Sequence, residues 1–113
     1  MGDAAISPLA EAMNRLWAKH LPQMEERVAA LQTAAERLSS GELTEDELQR
    51  ARAEAHKLAG VLGTFGLKEG TELAREAEEM CGGPLGTDLA TARRLALIAE
   101  QLGAIVASRS EGS

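Results

Sequence analysis

Apolar residues recur at steps of three and four along nearly the whole chain, and this spacing leaves packed helices as the natural fold. Met24, Val28, Leu31, Ala35 and Leu38 form one such stripe. Leu48, Ala51, Ala55, Leu58, Leu62 and Phe65 form a second, and Leu89, Ala92, Leu95, Ala99, Leu102 and Val106 a third. A period near 3.6 residues gathers each set onto one helical face. Composition points the same way. Of 50 hydrophobic residues 37 are Ala or Leu, six are Val or Ile, and the aromatics are one Trp and one Phe. Straight-chain and small residues lose little freedom in a helix, and β-branched and aromatic residues, which favour strands, are scarce. At 113 residues the chain can bury one core.

Boundary signals divide it into five helices and a single domain, residues 1–113. Ser7-Pro8 is a start, with Ser as N-cap and Pro at the first helical position. Leu9, Met13, Leu16 and Trp17 then make a short stripe ending near Lys19-His20, where a cationic His20 suits the helix C-terminus. Pro22 restarts the chain into the second helix, which Ser39-Ser40-Gly41 closes. Thr44 with Glu47 reads as a capping box opening the third helix, about residues 45–65. Gly66 follows as a left-handed C-cap. The fourth helix runs from about Lys68 to Met80 and buries Leu73, Ala77 and Met80. Cys81 through Gly86 forms a loop. Thr87 or Asp88 caps the fifth helix, and Arg109 onward is a frayed tail. The expected architecture is all-α: an antiparallel up-down four-helix bundle with an additional short N-terminal helix lying across one end.

Charge and cysteine content narrow the function. Twelve Lys and Arg against 18 Asp and Glu give a net charge of −6, opposite to the basic footprint of a nucleic-acid binder. Cys81 is the single cysteine, so neither an intrachain disulfide nor a cysteine zinc site is expected. The N-terminus has no basic segment followed by an apolar run, and no stretch is apolar enough to span a membrane. These features fit a cytoplasmic, monomeric domain.

The third helix carries the anomaly. On a helical wheel His56 lies about 130° from the centre of the apolar arc, so it faces solvent. Ala53, Ala59, Gly60 and Gly63 surround it, all small, and each glycine within a helix costs about 1 kcal/mol relative to Ala. A surface helix has no packing reason to accept two. The cost makes sense if another molecule must approach the ring closely. An exposed imidazole can serve as a base, a metal ligand or a nucleophile. No His, Asp or Glu stands at i+3 or i+4 from His56 to share a metal, and no Glu-x-x-His occurs for a metal-binding bundle. A nucleophile on a smooth face suits a partner protein that supplies the rest of the chemistry.

The run Ala55-His56-Lys57-Leu58-Ala59-Gly60-Val61-Leu62-Gly63-Thr64-Phe65-Gly66-Leu67 resembles the signature of histidine-containing phosphotransfer (HPt) domains, with glycine four and seven residues after the histidine. Its Gly-Thr-Phe-Gly portion is similar to the phosphotransfer domain of chemotaxis histidine kinases, and Leu73 to Glu78 resembles the family's next helix. The resemblance implies a four-helix bundle in which His56 accepts a phosphoryl group from a histidine kinase, hybrid kinase or receiver and passes it to a receiver-domain aspartate. It implies a carrier with no cofactor or metal of its own, the Mg²⁺ being the partner's. Ala59, Gly60 and Gly63 would face the phosphoryl group or the partner, the glycines admitting the receiver's loops, and Glu78 would orient the ring by bonding its second nitrogen. Many family members have Lys three residues after the histidine. Here that position is Ala59, which leaves Lys57 and Arg52 as candidate phosphoryl contacts. The competing reading is an adaptor that docks receivers without accepting phosphate, and Ala59 is the feature that leans toward it. The short flanks are compatible with a free-standing protein or with a domain of a hybrid kinase or regulator.

Overall fold

Ser7 opens the first helix as its sequence demands: its hydroxyl accepts the Ala10 N–H, and Pro8 occupies the first turn. A computed structural model describes residues 7–84 and 88–111, which form four helices: α1 (Pro8–Ser39), α2 (Glu45–Thr64), α3 (Lys68–Gly82) and α4 (Leu89–Glu111). They lie along a rod 56 Å long and 19 Å across. α1 packs on α4 and α2, and α3 packs on α2 and α4, while the backbones of diagonal pairs stay apart. This is the expected antiparallel bundle, ordered around its axis as in the chain.

The additional N-terminal helix does not exist as a separate element. α1 runs unbroken for 32 residues through Pro22. Proline removes one backbone hydrogen bond and crowds the carbonyl four residues back. Pro22 and Ala18 are both exposed, so the carbonyl left without a partner faces water. Trp17, Met24, Val28 and Leu31 meanwhile stay in phase on one buried stripe, and breaking the helix would lose that register. His20 is therefore mid-helix, not a helix-end residue. Leu9 and Leu16 are exposed, at 72% and 42%, because α1 turns that flank away from its neighbours. Trp17 is in the core itself.

Two helices end in the same way. At α2 the chain reverses through Gly66 at φ 69°, with Leu67 N–H donating to the Leu62 carbonyl and Gly66 N–H to Gly63. At α1, Gly41 at φ 75° does likewise, with Glu42 N–H donating to Arg37 and Gly41 N–H to Leu38. Both are Schellman turns, which need a residue that tolerates the left-handed region. The capping box at α2 is complete: Thr44 accepts the Glu47 N–H, and Glu47 accepts the Thr44 N–H. Asp88 accepts the Thr91 N–H at the start of α4. Thr87, the other candidate cap, and the Leu85-Gly86 part of the expected loop lie outside the described residues.

The core is one cluster. Leu31, Leu58, Leu62, Leu95, Ile98 and Leu102 are fully buried, each burial contributing about 1.5–3 kcal/mol relative to exposure. Leu73 and Met80 only pack partly against it, and Ala74 and Cys81 take the innermost α3 positions beside Ala77. Cys81 and Gly82 thus complete α3 and are not loop. Leu89 is half exposed because it stands at the open end of α4. The expected frayed tail is helical through Glu111. It closes the far end of the rod: Ser110 accepts the Trp17 indole N–H at 2.9 Å, Arg109 donates to Asn14, and the Arg109 guanidinium lies 5.1 Å from the Trp17 ring centre. Phe65 meets Trp17 edge-on, with centroids 5.0 Å apart.

Candidate functional site

The α2 stripe of Ala51, Ala55, Leu58 and Leu62 points into the bundle, and this fixes the opposite side of the helix toward water. His56 stands there with its side chain 73% exposed. Across the α2–α3 contact, Glu78 brings a carboxylate to 2.8 Å from His56 Nδ1. A carboxylate can only accept, so Nδ1 carries the proton and donates. In the neutral ring the lone pair then belongs to Nε2. The site therefore presents a lone pair on an exposed ring whose tautomer and orientation are held from behind.

The small residues around the ring divide. A Cβ built on Gly60 would meet nothing within 4 Å, and one on Gly63 would make only ordinary contact with Thr71, at 3.7 Å. Neither glycine is demanded by internal packing. Ala59 is different. It is 6% exposed and belongs to the core cluster, so the expectation that it faces a partner or a phosphoryl group is corrected. Three residues after His56 the helix has turned this position inward. Lys57 is exposed but leans to Glu54, at 3.8 Å.

Arg52 lies one turn before His56 and extends over the end of α3. A Cβ at Gly82 would stand 3.0 Å from its Nε, so Gly82 leaves the space in which the guanidinium rests. Arg52, His56, Arg75, Glu78, Glu79, Gly82 and Gly83 line one open depression of about 530 Å³. Arg75 and Glu79 were not among the residues singled out from sequence. The signal for Arg75 was present, since it stands three residues before Glu78 and hence on the same face of α3. Among the described residues no group of three or more His, Cys, Asp or Glu side chains could hold a metal ion. No described helix is long and apolar enough to cross a membrane.

Comparisons with known proteins meet this geometry. A family model described as the Hpt domain matches residues 15–108, which include all the residues lining the depression. Protein RcaC of Microchaete diplosiphon is 35% identical over 71 residues, covering 63% of this chain and 11% of that protein. The chain thus spans about a tenth of the length of that relative. No solved structure matches. With the match covering most of a four-helix bundle that displays one exposed imidazole, the chain belongs to the Hpt domain family, the histidine phosphotransfer carriers of two-component phosphorelays.

Proposed function

We propose that His56 is the phospho-acceptor, taking a phosphoryl group from a histidine kinase or a phosphorylated receiver and delivering it to a receiver aspartate. The observation behind this reading is the pairing of His56 Nδ1 with Glu78 on an otherwise open ring. When an aspartyl phosphate is the donor, the Nε2 lone pair attacks phosphorus. An N–P bond forms, the P–O bond to the aspartate breaks, and the carboxylate leaves with the electron pair. The ring keeps its Nδ1 proton and becomes cationic, and the Glu78 carboxylate stabilises that charge. Delivery to the next aspartate is the reverse. This chain supplies the nucleophile and its orientation. The partner supplies the metal ion and the positioning of the phosphoryl group. Gly60 and Gly63 keep the face beside the ring low enough for the partner's loops.

The test uses phosphoramidate, a chemical donor to imidazole nitrogens, and in parallel a set of phosphorylated receivers from the source organism. The wild type should acquire acid-labile phosphate and His56→Gln should acquire none. Label on His56→Gln equal to wild type overturns the reading. Receiver binding that survives His56→Ala, with no transfer by wild type, would favour the adaptor reading instead.

A further inference from the structure

A phosphoryl group on His56 would bring on the order of two negative charges to a place already occupied by Glu78 and Glu79, in a chain of net charge −6. Something must offset that charge. The helix turn that follows His56 cannot, because Ala59 is buried and Gly60 has no side chain. Lys57, on the neighbouring flank, leans to Glu54. Two cations remain at the depression, Arg52 and Arg75. Neither makes an ion pair or side-chain hydrogen bond among the described residues, whereas Arg37 and Arg94 on the same rod are fully engaged, with Glu47 and Glu76.

We propose that Arg52 and Arg75 together hold the phosphoryl oxygens on His56, one from each side along the bundle axis. This rests on His56 being the phospho-acceptor. The flanking follows from the antiparallel packing. Arg52 is four residues before His56 on α2, about 6 Å toward the end of the rod where α3 finishes, and it lies against Gly82 as that direction requires. Arg75 is three residues before Glu78 on α3, about 4.5 Å the other way, toward Gly60. The His56–Glu78 pair is between them. A guanidinium offers paired donors on a flexible stem, the geometry suited to phosphate oxygens. Gly82 acquires a role in this arrangement: a Cβ there would stand 3.0 Å from Arg52 Nε and make the guanidinium shift by a few tenths of an ångström.

The clamp predicts a property of the phosphorylated protein that a structural role for these arginines would not touch. Facing cations favour the dianionic phosphoryl group, so they lower the pH at which it takes up its proton. The charged groups facing it are Arg52 on α2 and Arg75, Glu78 and Glu79 on α3. We would label wild type, Arg52→Gln, Arg75→Gln, the double variant and Arg75→Lys with phosphoramidate, and follow the phosphohistidine ³¹P resonance through a pH titration at low salt. Each Gln variant should raise the midpoint by roughly half a pH unit to one unit. The double variant should raise it further, and Arg75→Lys should stay near wild type. The shifts should shrink at high salt. An unchanged midpoint in the double variant, with His56 phosphorylated normally, overturns the clamp and leaves the phospho-acceptor reading standing. Failure of the acceptor reading shows separately, as undiminished label on His56→Gln.

Discussion

Gly60→Ala separates folding from function within one residue. Gly60 lies inside α2, and an added methyl meets nothing within 4 Å, so the substitution brings no clash and buries no new surface. What remains is helix propensity. Glycine in a helix interior is about 0.8–1 kcal/mol less favourable than alanine, and the gain arises largely from the reduced freedom of the unfolded chain. For 113 residues the unfolding entropy is about 240 cal/mol/K, so the melting temperature should rise by roughly 3–4 °C. A partner that must bring an aspartate to Nε2 would meet the same methyl on its approach. We therefore expect Gly60→Ala to melt higher by circular dichroism, to label with phosphoramidate as wild type does, and to exchange phosphoryl groups with receivers at least several-fold more slowly. A bulkier Gly60→Leu should block receiver transfer while small-molecule labelling persists. If Gly60→Ala lowers the melting temperature, the glycine serves the fold. If receiver transfer is unimpaired in both variants, the cleared face has no part in docking.

Other consequences follow from the fold. Pro22→Ala should stabilise the protein by about 2 kcal/mol, the roughly 3 kcal/mol helix cost of proline less about 1 kcal/mol for its restriction of the unfolded chain. A loss of stability in urea unfolding would mean that α1 breaks at residue 22 in solution. Trp17→Ala removes an indole that is 1% exposed, together with its contacts to Phe65, Arg109 and Ser110, and should cost about 3–5 kcal/mol by the same assay. The Glu47 carboxyl is held below its ordinary value of 4.5, first by the Thr44 backbone N–H and then by Arg37. Glu76 is lowered by Arg94, and Asp88 by the Thr91 hydroxyl and backbone N–H. A depressed carboxyl pKa contributes stability that is present above the unfolded value and lost as the pH falls through the folded one. Stability should therefore start to decline as the pH falls below about 4.5, and Glu47→Gln should lower the neutral-pH stability and make that decline shallower.

The fold was largely legible because helices advertise both their faces and their ends. Thr44 with Glu47, Ser7 with Pro8, and Gly66 each acted locally as their residue types require. Pro22 was misread because its penalty is local, whereas the compensation is tertiary: only the assembled bundle keeps Trp17 and Met24 on the same stripe. The end of the chain was misread for a related reason. Arg109 and Ser110 look like a polar tail until Trp17, more than 90 residues away, gives them partners. At the site, the outward face of His56 was visible from the phase of α2 alone. Glu78 was reached through a family likeness, and the bond at 2.8 Å depends on how α3 is docked. Ala59 was misplaced because its position on the wheel borders the buried arc, and the packing of α3 decides which way a borderline methyl is covered. Arg75 is an α3 residue, so its place beside His56 is a property of the helix pair.

Phosphotransfer at this site requires Nδ1 to be committed to Glu78 and Nε2 to be the nitrogen that reacts. Long-range ¹H–¹⁵N and ³¹P correlation spectra of the phosphorylated, ¹⁵N-labelled protein report which ring nitrogen bears phosphorus. The prediction is a single phosphohistidine at His56, bonded through Nε2, with the proton retained on Nδ1. Phosphorus on Nδ1, or on any residue other than His56, would contradict it.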